Sequence, residues 1–207
     1  MNTLAVQRWP GPTPTPQDGL FALLLDPAAL SPPAAFSLVG ALEAGRQREA
    51  ARHAVRQAAR EALAAVLGVR PDDISIVSSP GEPPRVLLAD RPSAIGCSFS
   101  HDGDHSLVAI NLQGPIGADI MHVQDIPDWQ AVARDYLGPV ASAALQATPA
   151  TERPTAFTRM WTQREAALKC MGQQLSEWRA DIPGQTIALA LPVPGLAGHL
   201  HTGDKNA

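Results

Sequence analysis

The chain has 207 residues, 45% of them hydrophobic, which is enough to bury a core as one domain or two small halves and argues against wholesale disorder. A formal net charge of −4 gives no global electrostatic case for nucleic acid or an anionic membrane, so an anionic ligand has to be met by a local basic patch. Two cysteines, Cys97 and Cys170, have no Cys-x-x-Cys spacing and read as free thiols; the apolar run Leu20 to Leu25 is far below the roughly 18–20 residues that span a bilayer. The first ten residues lack a basic region followed by an apolar stretch, so a cytoplasmic protein is expected.

Residues 1–18 carry Pro10, Pro12, Pro14 and Pro16, whose missing amide donors and fixed φ favour an extended, loosely held arm. Phe21 to Leu25 reads as a short buried strand, and Pro27, Pro32 and Pro33 punctuate the residues after it. A long helix is expected from about Leu42 to Leu67, stopped by Gly68, with Val55, Ala59, Ala62, Leu63 and Val66 as its buried stripe. Arg48, Arg52, Arg56 and Arg60 recur every four residues on it. They are either a solvated face, partly neutralised by Glu49 and Glu61, or a platform for phosphates. Ile74 to Val77, 94–98, 106–111 and 116–121 read as strands, the last two joined by a hairpin at 112–115. An Ala-rich helix around Trp129 to Tyr136, a mobile loop at 147–154, a helix over Phe157 to Gly172 and a strand at 187–191 complete the order, with a Pro/Gly/His-rich tail from Pro192.

The helix from Phe157 places Phe157, Met160, Trp161, Ala167 and Leu168 on one face and Thr158, Thr162, Glu165 and Lys169 on another. A Glu-Lys pair one turn apart is by itself an ordinary surface feature, worth about 0.2–0.5 kcal/mol. Upstream, however, stand Ser98-Phe99-Ser100-His101-Asp102-Gly103 and Ile116-Gly117-Ala118-Asp119-Ile120-Met121. A Ser-His-x-Gly turn, a Gly-x-Asp strand and a Trp-Thr-x-Arg-Glu-Ala-x-x-Lys helix, in this order, resemble the 4′-phosphopantetheinyl transferase superfamily, and the length resembles its surfactin-type members. The fold implied is α+β in two similar, pseudo-twofold halves, each a small mostly antiparallel sheet packed on a long helix. They would lie at 19–113 and 114–207 after the arm at 1–18, with the active site between them. The second half is expected to be trimmed, because no final hairpin is evident after Leu191.

The resemblance implies transfer of the phosphopantetheine arm of coenzyme A to a serine of an apo acyl or peptidyl carrier protein, in the manner of a holo-[acyl-carrier-protein] synthase. It makes Asp119 and Glu165 magnesium ligands, Glu165 and Lys169 catalytic, and Arg52, Arg56, Ser100, His101, Arg164 and Lys169 contacts to coenzyme A. Gly117 is expected to let a phosphate approach the backbone. Two departures stand out: Met121 occupies the position of a third carboxylate, and a thioether is a poor ligand for a hard cation. Glu82, in Gly81-Glu82-Pro83, replaces the lysine of a Gly-Lys-Pro turn. A zinc site from His101, Asp102, Asp104 and His105 lacks a second ligand cluster. His105, His122, His199 and His201 receive no role. A monomer in secondary-metabolite biosynthesis is the expected setting, with docking of the carrier near 125–155; the rivals are a non-catalytic descendant that binds coenzyme A or a carrier, and a generic interaction module.

Overall fold

Leu4 and Val6 are buried while Thr3 and Ala5 are exposed, the period-two signature of a half-buried strand. They belong to β1 (Thr3–Trp9) in a computed structural model that describes residues 3–25, 40–79 and 81–203. Pro27, Pro32, Pro33 and the side chain of Arg48 lie outside the described residues. The arm expected at residues 1–18 therefore begins as a strand, and its prolines confine themselves to the loop after it.

β2 (Leu20–Leu25) is buried throughout, and α1 (Gly40–Leu67) ends at Gly68, whose φ of 68° suits a helix stop. Next come β3 (Ile74–Val77), β4 (Arg85–Leu88), β5 (Arg91–Asp102), β6 (His105–Asn111) and β7 (Ile116–His122). A short helix α2 (Trp129–Val132) runs through a π-helical turn (Ala133–Leu137) into α3 (Gly138–Ala147). Helix α4 (Arg153–Cys170), β8 (Gln185–Ala190) and β9 (Leu196–Thr202) complete the order.

The architecture is α+β. Among the described residues nine strands form one mixed sheet in the order β3-β4-β5-β6-β2-β1-β8-β9-β7. β1 lies parallel to β2 on one side and to β8 on the other, and so joins the two groups of strands. The other neighbours are antiparallel. One apolar core gathers Leu4, Leu24, Leu107, Ile120, Leu189 and Leu200 from β1, β2, β6, β7, β8 and β9. A second sets Val55, Ala59, Ala62 and Leu63 of α1 against β2, β5 and β6; Val66 of the expected stripe is half-buried beside it.

Three expectations change. The segment after Leu191 is no tail: β9 pairs with both β8 and β7, with Asp119 directly opposite His199, so the final hairpin is present. Nor do β6 and β7 form a hairpin, since β6 pairs with β5 and β2 while β7 pairs with β9; residues 112–115 cross from one strand group to the other. Third, the loop expected at 147–154 is shorter, because α4 starts at Arg153 and uses Pro154 in its first turn, where a missing amide hydrogen costs nothing.

The free edge of β7 turns towards β5. The amides of Ala118, Ile120 and His122 point away from β9 and donate to Ser98 Oγ (2.9 Å), Ser100 Oγ (3.2 Å) and Asp102 Oδ2. Alternate side chains of one strand thus satisfy alternate amides of another, and the sheet closes on itself without a backbone ladder at the seam. Asp102 Oδ2 also takes His122 Nδ1 at 2.6 Å.

Candidate active site

Helix α4 lies over β7 and β9 with its polar stripe turned inward. Thr158 and Thr162 are fully buried, and Thr162 Oγ1 contacts the Thr158 carbonyl (3.0 Å) and His199 Nδ1 (2.8 Å). A hydroxyl has one hydrogen. If Thr162 gives it to Thr158, His199 Nδ1 donates to Thr162, and Nε2 is left to accept from Gln163 Nε2 at 3.3 Å, so each group in the chain is satisfied. Burial, and then the charge of Arg159, depress His199 to about 4, which keeps the ring neutral. His201 is likewise structural, between Thr186 Oγ1 (2.8 Å) and the Pro183 carbonyl (3.1 Å). Neither histidine could be placed from sequence, because their partners come from register across β9, α4 and β8; the i,i+4 pair Thr158 and Thr162 was the available hint.

Gly117 has a different use from the one expected. A Cβ at that position would collide with the backbone of Ala166 and Cys170, so the missing side chain admits α4, not a phosphate. This close approach carries Lys169 to the middle of β7. Lys169 Nζ lies 2.7 Å from Asp119 Oδ1 and 3.2 Å from the Ala118 carbonyl. Ser100, only 3% exposed, donates to the same Asp119 oxygen at 2.8 Å. One turn back on α4, the half-buried Glu165 carboxyl is held above its ordinary range, first by burial and then by the negative charge of Asp119, with Lys169 and Arg164 opposing.

His101, Arg52 and Arg56 flank this meeting point. His101 Nδ1 sits 2.7 Å from Ser106 Oγ. Although His101 keeps an exposed face, desolvation of its ring and then the positive charges of Lys169, Arg52 and Arg56 lower its proton affinity. Arg56 also reaches Ser78 Oγ (2.7 Å) and lies 5.9 Å over the Phe99 ring. Arg60, by contrast, is spent on the carbonyls of Ile74 and Pro71 and on Asp72, clamping α1 to β3. The arginine stripe therefore divides: Arg52 and Arg56 belong to the electropositive patch and Arg60 to the fold. Beside Lys169 opens a cleft of roughly 200 Å³ between the Gly81 to Pro84 turn, Cys97 to Phe99 of β5 and Gly172 to Gln174. Glu82 lines it, so the departure in that turn sets a negative charge at the rim. Arg164 is directed elsewhere, donating to the Ala180 carbonyl at 3.1 Å.

Residues 115–185 match the profile of the 4′-phosphopantetheinyl transferase superfamily. The chain is 30% identical over 121 residues to the 4′-phosphopantetheinyl transferase HetI of Nostoc sp., covering 57% of this chain and 50% of the relative. It is 28% identical over 96 residues to the 4′-phosphopantetheinyl transferase AcpT of Salmonella typhimurium, covering 46% and 49%. Over these residues the chain is similar to members of the 4′-phosphopantetheinyl transferase superfamily. It spans about half the length of the curated relatives it matches.

The family profile covers β7, α4 and the loops between them, the region that brings Asp119, Glu165 and Lys169 together. Among the described residues no group of three or more His, Cys, Asp or Glu side chains is arranged around a common point for a metal. The resemblance implies magnesium on two carboxylates, Asp119 and Glu165. They fit such a cation: Asp119 is near enough to add, after burial, to the upward shift of Glu165, and a hard ion that fills its shell with water and substrate oxygens needs only one or two protein carboxylates. Among the described residues no helix is long and apolar enough to cross a membrane.

Proposed function

We propose that the chain transfers the 4′-phosphopantetheine arm of coenzyme A to a serine hydroxyl of an apo carrier protein and releases adenosine 3′,5′-bisphosphate. The observation that carries this reading is the meeting of Lys169 and Asp119 at 2.7 Å within range of the Glu165 charge, beside Arg52, Arg56 and the imidazole of His101. Two strand groups, β2 to β6 with α1 and β7 to β9 with α4, are read as the two halves between which coenzyme A sits.

In this reading Arg52, Arg56 and His101 hold the nucleotide phosphates, and the pyrophosphate lies towards Lys169. The serine oxygen bonds to the phosphorus that carries pantetheine, and the bond from that phosphorus to the oxygen of the nucleotide 5′-phosphate breaks. Glu165 takes the serine proton, directly or through water. Lys169 meets the negative charge that develops on the departing phosphate. Asp119 and Glu165 would hold a magnesium ion, which when bound would screen charge on the phosphate oxygens. Arg164 stands next to Glu165 and joins the phosphate contacts on leaving the Ala180 carbonyl.

The test is incubation with coenzyme A, magnesium and a panel of apo carrier proteins, reading the intact mass of each. A gain of one phosphopantetheine arm on a serine is expected, lost on chelation and lost in Glu165→Gln. Coenzyme A binding without any mass gain across the panel would replace transfer with the non-catalytic reading.

A further inference from the structure

The resemblance assigns Ser100 to coenzyme A, and its surroundings leave it no means of reaching that ligand. The residue is 3% exposed. A serine hydroxyl has one hydrogen and two lone pairs. The hydrogen goes to Asp119 Oδ1 at 2.8 Å; the oxygen accepts the Ile120 amide at 3.2 Å and faces Lys169 Nζ at 3.5 Å. All three capacities are turned towards β7 and α4.

We propose that Ser100 is a positioning residue: its hydroxyl fixes the Asp119 carboxylate and does not hold coenzyme A. Ser100 is the middle rung of the seam formed by Ser98, Ser100 and Asp102, so the contact that closes the sheet between β5 and β7 is the contact that orients the site. Among the described residues both bonds to Asp119's side chain, from Ser100 and Lys169, end on Oδ1. Oδ2 is thereby the oxygen presented to a ligand, and it is held in a fixed direction. Ser98 supplies an internal comparison, since it fills the same role for the Ala118 amide without touching Asp119.

The metal arm of this inference rests on reading Asp119 as a ligand, and the experiment separates the two. Manganese, as a spectroscopic substitute for magnesium, is titrated into wild type, Ser100→Ala, Ser100→Thr and Ser98→Ala, and coenzyme A is titrated calorimetrically into each in the presence of chelator. Loss of a group that orients a metal ligand weakens metal binding about 10–100-fold. Ser100→Ala is expected to lose manganese affinity in that range while its chelated coenzyme A affinity stays within twofold. Ser100→Thr should restore the manganese affinity, and Ser98→Ala should lose melting temperature without losing manganese. Coenzyme A affinity that collapses in Ser100→Ala with manganese binding intact overturns the proposal. If wild type binds no manganese, the metal reading fails instead, and thermal unfolding then decides: positioning requires the effects of Ser100→Ala and Asp119→Ala to be strongly non-additive, and additive effects would overturn it.

Discussion

Lys169 contributes a charge that cannot be removed quietly. Asp119's side chain is 11% exposed, and Lys169 is the cation against it. In Lys169→Met the carboxylate keeps, among the described residues, its hydrogen bond from Ser100. Leaving a buried polar partner unsatisfied costs about 1–3 kcal/mol, which is roughly 3–10 °C in melting temperature for a chain of this size. Calorimetry should show that loss, and Lys169→Met with Asp119→Asn should recover part of it; no recovery would mean the charge on Asp119 is not what suffers. His199 gives the pH dependence. Its folded value of about 4 lies below the ordinary 6.5, so the unfolded chain binds more protons between the two. Stability is full above pH 6.5 and falls as pH drops towards 4, by at most about 3 kcal/mol. Denaturant titrations from pH 4 to 7 should give a flatter profile for His199→Gln; an unchanged slope assigns the acid sensitivity elsewhere. That Asp119, Glu165 and Lys169 come together was legible through the resemblance carried by their two local segments, and not through the Glu-Lys spacing alone. The Thr162-His199 contact was not, since it joins residues 37 apart through register.

At the scale of elements, the placing of α4 depends on one missing methyl group. Gly117→Ala would push the backbone of Ala166 and Cys170 away from β7 and take Lys169 and Glu165 with it. Overpacking of this kind costs about 1–3 kcal/mol or more, or roughly 3–10 °C. Gly203→Ala is the control, because a Cβ there meets nothing within 4 Å. Gly117→Ala should lose both melting temperature and the proposed transfer, Gly203→Ala neither; equal behaviour of the two would show that α4 tolerates being lifted. Helices α1 and α4 were readable because their apolar positions recur over many turns. β9 was not: Leu-Ala-Gly-His-Leu-His shows too few apolar residues, yet His199 and His201 are buried because Thr162, Gln163, Thr186 and Pro183 satisfy them. The 112–115 connection is illegible for a related reason. Two strands in succession with a Gly-Pro link suggest a hairpin, but the amides of β7 are satisfied by β9 and by side chains of β5.

For the whole molecule the telling strand is β1, whose alternation of Leu4 and Val6 is overshadowed by the prolines after it. It is the sole strand pairing with both β2 and β8, so the groups carrying α1 and α4 share one sheet only through it among the described residues. The electropositive patch lies on the first group and Lys169 and Glu165 on the second. Their relation is held by β1 on one side and by the Ser98, Ser100 and Asp102 seam on the other. A loosely held arm would tolerate truncation of its apolar side chains, whereas a central strand would not. Leu4→Ala removes a side chain 4% exposed and should cost about 2–4 kcal/mol, or roughly 5–15 °C in melting temperature. Thr3→Ala, on the exposed side, should cost little. Because β1 ties the two groups, amides of β2 and β8 should lose hydrogen-exchange protection together in Leu4→Ala. Loss confined to β1 itself would mean that each group holds its shape alone, and that the seam is sufficient to align the patch with Lys169.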